Sequence, residues 1–432
     1  MRELLEQGIA SNDAGDGLAA RRLERTDAKA LCSMRFELRW QSEHAGHCDC
    51  WAASGLDLRR DLFPPALEQE VMDKPVGHRA SHSFAAGELI APYRADRLLE
   101  LRPEQFNRHF LRRTLIHPRR GRFYPRGILR DVPGVFEADR TPFRLAKTDE
   151  ALLLADLNHP LADRPLQLAL TIDAISAGGD RRGGRRNEVH RLVTANGPGM
   201  QARWHGRPTD YWSDLPFARV DPRPDTLFYS EPRFVDHIDG TAIAEVSALY
   251  GRLIPSGCRI LDLMASWHSH LPASLAPTAV TGLGMNRAEV DANPILTERI
   301  VHDLNDNPGL PFADASFDAV ICSLSVEYLI RPFEVFRGLA RVLAPGGLLI
   351  VTFSNRWFPP KTIQIWEGIH EFERPGLVLE YFLESGLFCD LNTWSLRGLP
   401  RPADDQYADR LRLADPVYAV WGRRRDDTEG SP

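Results

Sequence analysis

Glu327 and Tyr328 stand side by side in the run Ser325-Val326-Glu327-Tyr328, a carboxylate next to an aromatic ring. Such a pair can stabilise a cationic centre, the carboxylate through its charge and the ring through its face. A second group, Ser354-Asn355-Arg356-Trp357-Phe358-Pro359-Pro360-Lys361, supplies an amide, cations and aromatic surface. Its Asn355, Arg356 and Trp357 are candidate substrate contacts, because amide, cation and indole together can bind and orient a polar acceptor. His237 and Asp239, in the run Phe234 to Asp239, can reach the same mouth as a lid. Each residue also has a plain structural use. Glu327 can pair with Arg331 one turn later, Trp357 and Phe358 can fill a core under a loop, and Arg356 can be a solvated charge.

The elements that must position these groups are legible. Phe317–Leu324 is an apolar run suited to a strand buried on both faces, and Phe333, Phe336, Ala340 and Leu343 recur at helical spacing. Pro345-Gly346-Gly347 breaks that helix, and Leu348–Phe353 is a second buried strand, so the passage is a parallel βαβ unit. Upstream, Ile243, Val246, Leu249, Tyr250, Leu253 and Ile254 mark a helix ended by Pro255-Ser256-Gly257. Arg259–Met264, Ala279–Met285 and Ile300–Leu304 follow as three strands. After Phe353, Leu377–Phe382 lie on a helix capped by Gly386, then Phe388–Trp394 and Pro416–Trp421 are strands. The class is α/β, a doubly wound, mostly parallel seven-stranded sheet, with ligand expected at the carboxyl ends of its central strands.

The wording of Leu310–Asn355, with LPFADASFDAVICS and RVLAPGGLLIVT, resembles the second half of a class I S-adenosylmethionine (SAM)-dependent methyltransferase. The resemblance spans about 225–425. It implies SAM as cofactor and a methyl acceptor, small molecule or protein, with Glu327 and Tyr328 as catalytic residues. It places cofactor contacts at Asp262, Leu263, Met264 and Ser266 after the first strand, and at Gly282, Gly284 and Asn286 after the second. Asp303, Leu304 and Asn305 follow the third, and Ser323 and Leu324 the fourth. The chain departs from the family's pattern in two places. Met264, Ser266 and His268 stand where glycines are usual, and Gly282-Leu283-Gly284 replaces the acidic ribose contact, with Asn286 as a neutral substitute. A second reading follows: Met264 and Trp267 fill the cleft and the domain is a scaffold.

The N-terminal part has its own signature in DLNHPLADRPLQLALTI, Asp156–Ile172. Leu166, Leu168, Leu170 and Ile172 alternate as in a half-buried antiparallel strand behind an Asn158-His159-Pro160 turn. With Phe36-Glu37-Leu38-Arg39, Asp49, Leu62–Val71 and Pro92-Tyr93 in order, it resembles a SlyD-type FKBP-like peptidyl-prolyl isomerase. The resemblance implies an α+β FKBP-like domain over 1–176, with its core at about 31–172, and a client protein as partner. Ile90-Ala91 replaces the usual Tyr-Gly, Asp163 replaces a turn glycine, and Arg108, Arg112, Arg113, Arg119 and Arg120 crowd the next segment. The implied isomerase is therefore degenerate, used for packing or for holding a client, and a folding helper is a third functional class.

Composition limits what else the chain can be. At 432 residues, 43% hydrophobic and 26% charged, it is globular and longer than one ordinary domain. Its net charge of −6 gives no overall field for nucleic acid; Arg119, Arg120, Arg122 and the Arg181–Arg186 run are local exceptions. No run approaches the about 20 apolar residues of a membrane helix, and the start lacks an apolar signal-peptide core, so a cytoplasmic protein without a membrane partner is expected. Six scattered cysteines are expected reduced. His44, His47, Cys48 and Cys50 are the one dense ligand-type cluster, but Cys-x-Cys strains a shared tetrahedral site, so a polar hairpin turn and no metal are expected. The glycine- and arginine-rich Ser176–Asn187 marks the main boundary, the Pro-rich Pro208–Pro232 a connector within a linker at 177–224, and 426–432 a disordered tail.

Overall fold

The computed structural model describes residues 21–110, 115–178 and 186–426. Arg112 and Arg113, most of the glycine- and arginine-rich stretch and the tail from 427 lie outside the described residues. Contacts divide the chain between Tyr211 and Trp212, with His44–Gly46 grouped with the second unit. The division falls after Ser176–Asn187 because the segment behind that stretch still packs in the first unit: Val189, Val193 and Ala202 are buried in its core.

In the first unit, β1 (Ala30–Gln41) alternates strictly, with Cys32, Met34, Phe36, Leu38 and Trp40 buried. Its neighbours are β2 (Gly46–Asp57) and the later β8 (Leu166–Ala177), and the strand order is β2-β1-β8-β3, with β3 at Arg79–Phe84. The β1–β8 pairing is antiparallel, setting Phe36 opposite Leu170 and Leu38 opposite Leu168. A short helix, α1 (Pro65–Glu68), buries Leu67 against this core. Between β3 and β8 the chain builds a second antiparallel sheet around its own core: β4 (Leu98–Leu101), β5 (Phe123–Pro125), β6 (Pro142–Thr148) and β7 (Leu153–Asp156) in the order β4-β7-β6-β5. Helix α2 (Val189–Thr194) follows β8.

One expectation fails here. His47, Cys48 and Cys50 are not on a polar turn but on β2, where all three are buried. The His47 ring stacks on Trp40 at 3.8 Å and its Nε2 meets Ser42 Oγ at 2.8 Å. Burial first, and then Arg164, push that imidazole down to about 3. Among the described residues no group of three or more His, Cys, Asp or Glu is placed to hold a metal.

In the second unit, α3 (Asp225–Phe228) precedes α4 (Gly240–Leu253), whose N-cap Asp239 accepts from the amides of Thr241 and Ala242. Strand β9 (Arg259–Leu263) follows, then β10 (Ala279–Gly284), α5 (Arg287–Ala292), β11 (Glu298–Val301) and β12 (Phe317–Ser323). Helix α6 (Pro332–Val342) starts on a proline, which suits a first turn whose N–H groups lack helical partners. It buries Val335, Phe336, Leu339 and Ala340. Next come β13 (Leu343–Phe353), α7 (Gln364–Gly368) and α8 (Glu373–Ser385), closed by Gly386 at φ 70°. Strands β14 (Phe388–Arg397) and β15 (Val417–Arg424) end the described chain.

The strands of this unit lie in the order β11-β10-β9-β12-β13-β15-β14. The first five are parallel, and β15 runs antiparallel to both β13 and β14. The chain moves outward from β9 to β11, then returns to β12 on the other side. Connections therefore leave in opposite directions from the carboxyl ends of β9 and β12, which opens a crevice there. No helix among the described residues is long and apolar enough to cross a membrane.

Candidate functional site in the second unit

A cleft of about 1100 Å³, counted to its open mouth, sits at those strand ends. Its floor begins with Asp262 at the end of β9, which is buried with one carboxylate oxygen unpartnered. Burial pushes that carboxyl up to about 7, with the Ser269 hydroxyl opposing. The chain then turns through Met264 at φ 59°, left-handed backbone that favours the glycine usual there. Met264 and Trp267 form walls of the cleft and leave it open. Trp267 stacks on His268 at 3.9 Å and donates to the Val235 carbonyl, and His268 Nδ1 meets Asp236 at 3.0 Å.

At the end of β10, Asn286 borders the cleft. Its side-chain oxygen caps α5 on the amides of Ala288 and Glu289, and its NH₂ donates to the carbonyls of Tyr229 and Ser230. Both ends of the amide are occupied. Glu289, one turn later, is the acid that faces the cleft, and its carboxylate accepts from Ser266 Oγ and the Arg233 amide, both at 2.7 Å. The signal for it was an acidic residue in the first turn of the helix after the second strand. Gly284 lines the cleft, whereas Gly282 and Leu263 do not. A Cβ on Gly282 would meet Leu296 at 2.4 Å, so that glycine serves packing.

Asp303 and Leu304 line the far wall. The Asp303 carboxylate accepts from the amides of Asn305 and Asp306. Asn305 also borders the cleft, but its side chain is a brace: it donates to Asp225 and to the Tyr328 carbonyl and accepts from the Ile330 amide. Asp225 in turn is held by Arg219 and by the buried Lys361, and this cluster fixes the roof segment.

At the end of β12, Ser323 and Leu324 are in the wall. Ser323 Oγ is held at 2.6 Å by the buried Tyr250 hydroxyl, which also contacts Thr352. The adjacent pair separates: Tyr328 lines the cleft, while Glu327 is fully buried and is not among the lining side chains. The Tyr328 hydroxyl accepts from the Phe358 amide, and Phe358 supplies aromatic surface. Asn355, Arg356 and Trp357 are not brought to the cleft. Arg356 pairs with Asp415, and the Trp357 indole donates to Glu367.

The roof is 225–237, of which the part up to Pro232 falls in the Pro-rich passage expected to be a connector. Tyr229, Arg233 and His237 line the cleft from it. The His237 ring meets Phe358 edge-on at 5.3 Å, and burial pushes its imidazole down, which keeps it neutral near pH 7. These roof residues carried no periodic signal.

The sequence model of a family described as "Methyltransferase domain" matches residues 271–351 of this chain. A segment of the C-terminal unit is thus similar to a methyltransferase domain. That match covers the second to fifth strands of the sheet. Methyltransferase GfsG of Streptomyces halstedii is 28% identical over 135 residues, 29% of this chain and 48% of that protein. Malonyl-[acyl-carrier protein] O-methyltransferase of Marinomonas sp. is 31% identical over 68 residues, 16% of this chain and 25% of that one. The ubiquinone/menaquinone biosynthesis C-methyltransferase UbiE of Pseudomonas putida is 24% identical over 170 residues, 35% and 66%. The chain thus spans about half or less of the first two relatives. An S-adenosylmethionine-dependent methyltransferase from Mesorhizobium loti has 20% identity and a TM-score of 0.29 over 42% of this chain and 98% of its own. The Haloferax volcanii complex of the Trm112 methyltransferase activator with a methyltransferase gives 17%, 0.33, 43% and 90%.

Proposed function

We propose that the chain is a SAM-dependent methyltransferase and that the cleft at the carboxyl ends of β9 to β12 holds the cofactor. The observation that carries the reading is Asp262: a buried carboxyl with an unpartnered oxygen, in a cleft also bordered by Glu289 and Asp303 and by Tyr229, Tyr328 and Phe358. Carboxylates and ring faces complement a sulfonium and an ammonium group, and SAM carries both. Bound SAM supplies an activated methyl group. The chain supplies position, with Glu289 in reach of the ribose hydroxyls, Asp303 and Leu304 beside the adenine, and Tyr328, Phe358 and His237 around the acceptor. Catalysis then rests on orientation and exclusion of water, and the acceptor is a small molecule or protein that enters beside the roof.

Binding to the folded state raises stability in proportion to the logarithm of ligand excess, by about 2.7 kcal/mol at a hundredfold excess over Kd. Thermal unfolding with SAM or S-adenosylhomocysteine is therefore expected to shift upward, and no shift with either ligand contradicts the proposal. Glu289→Gln is expected to weaken SAM about 10- to 100-fold, the range for hydrogen bonds to a charged group. Asn286→Ala instead loses a helix cap and costs about 1 kcal/mol of stability. Calorimetry paired with melting separates the two, and equal losses of affinity would remove Glu289 from its assigned role.

For the first unit we propose a degenerate FKBP-like module that packs or holds a client and does not turn over prolyl bonds. Supporting this, the Asn158–Leu161 turn precedes β8, and Leu67 of α1 belongs to one core with Val71, Val189 and Val193. The Leu62 amide donates to Asn187 and the Val189 amide to Leu62, bringing α2 to that edge. Asp49 is buried and taken by Trp40 and Gln201. We propose a cytoplasmic location, where the six cysteines would stay as thiols.

A further inference from the structure

We propose that Arg233 holds a carboxylate of the bound ligand through its Nη1. The inference rests on the reading of the cleft as a ligand site, and it adds a recognition group that neither strand-end sequence nor helix-cap pattern marks. Arg233 is the one Lys or Arg side chain among the described residues that line the cleft, whose other charged members are Asp225, Asp236, Asp262, Glu289 and Asp303. Its guanidinium carbon lies 4.5 Å from the centroid of Phe228, 5.3 Å from Phe358 and 5.7 Å from Tyr229, so three rings hold it in place. Nη2 donates to the Phe228 carbonyl at 2.9 Å. Nη1 is shielded from solvent and has no hydrogen-bond partner, and no ion pair forms at Arg233 among the described residues.

A buried guanidinium nitrogen without an acceptor is costly, and a native fold keeps one where a ligand completes it. The rings fix the fork without neutralising it. The missing partner is an acceptor with negative charge, and a carboxylate matches a guanidinium N–H geometrically. A doubly charged phosphate would face repulsion from Glu289, whose carboxylate accepts from the Arg233 backbone amide. Two ligands can bring a carboxylate here: the cofactor, on its methionyl end, or the methyl acceptor.

Calorimetry on the full chain separates these sources. S-adenosylhomocysteine carries the methionyl carboxylate, 5′-methylthioadenosine lacks it, and benzoate, added with 5′-methylthioadenosine present, probes a carboxylate on the acceptor side. If the cofactor supplies the carboxylate, Arg233→Met weakens S-adenosylhomocysteine at least tenfold and leaves 5′-methylthioadenosine unchanged. If the acceptor supplies it, both nucleosides bind as before and benzoate affinity falls at least tenfold. Arg233→Lys keeps the charge without the planar fork and is expected to fall between wild type and Arg233→Met in whichever arm responds. Equal weakening of S-adenosylhomocysteine and 5′-methylthioadenosine by both variants would make Arg233 a roof brace and overturn the assignment, as would no change in any arm. Wild-type protein that binds neither nucleoside contradicts the methyltransferase reading instead, and the benzoate arm, then run alone, still decides the role of Arg233.

Discussion

Glu327→Gln is expected to make the protein more stable than wild type at pH 8, by several kcal/mol. Glu327 is fully buried, and neither carboxylate oxygen has a hydrogen-bond partner. Burial pushes its carboxyl up to about 8; its own backbone amide and Arg374 oppose the shift without cancelling it. The folded state thus binds this proton more tightly than the unfolded chain, where a glutamate titrates near 4.5. Stability from the protonated form is complete below about pH 4.5 and is lost as pH rises toward 8, to a total of about 5 kcal/mol. Glutamine mimics the neutral acid and has no such loss. Asp262, pushed up to about 7, adds a parallel slope that ends nearer neutral pH and survives in the variant. Chemical unfolding of both proteins from pH 4 to 9 checks this. Curves that fall in parallel over the whole range would show that Glu327 is ionised in the folded protein and has found a partner.

Gly284→Ala is expected to lose both stability and ligand binding. A Cβ there would lie 2.2 Å from the Ala265 carbonyl oxygen and 2.7 Å from Val290 Cγ1. The first clash is with backbone. The Ala265 amide is also tied to the Leu283 carbonyl at 2.8 Å, so the loop cannot move without breaking a strand-to-loop hydrogen bond. Overpacking of this kind costs about 1 to 3 kcal/mol, and the displaced loop is the one that carries Met264 and Ser266 along the cleft. Gly240→Ala is the control, since its Cβ would meet only Pro402 Cγ at 3.9 Å, an ordinary contact. A Gly284→Ala protein that melts with the control and binds SAM as wild type does would show that the two loops are not locked together.

What the sequence could convey follows from which forces leave a periodic trace. Strand β12 and the second half of β13 are buried on both faces and are mostly apolar, and α6 repeats apolar residues along its buried side. Strand β8 shows its alternation because one face is covered. The second sheet of the N-terminal unit left no such mark, because its strands are only three to seven residues long. Asp262, Met264, Ser266, Asp303 and Tyr328 were legible because parallel strands deliver their ends to the crevice by topology alone. Asn286 and Asn305 border the cleft, yet the Asn286 amide serves backbone groups and the Asn305 amide serves Asp225 and backbone groups, a choice invisible without coordinates. Glu327 and Tyr328 are adjacent, so the turn after β12 sends one into the core and the other to the cleft. His237 was named from the sequence, but Tyr229 and Arg233 of the roof escaped because irregular backbone is positioned by single contacts such as the Asp225 cluster. Arg356 was drawn away by Asp415, a partner remote in sequence, and Trp357 by Glu367 in the following helix.

Calorimetric titration of the full chain with SAM, with no acceptor added, tests the central claim most directly. Saturable binding at one site per chain, weakened by Glu289→Gln, is the expected result. Absence of binding, or binding unchanged by that substitution and by Gly284→Ala, would contradict a cofactor site at the carboxyl ends of β9 to β12.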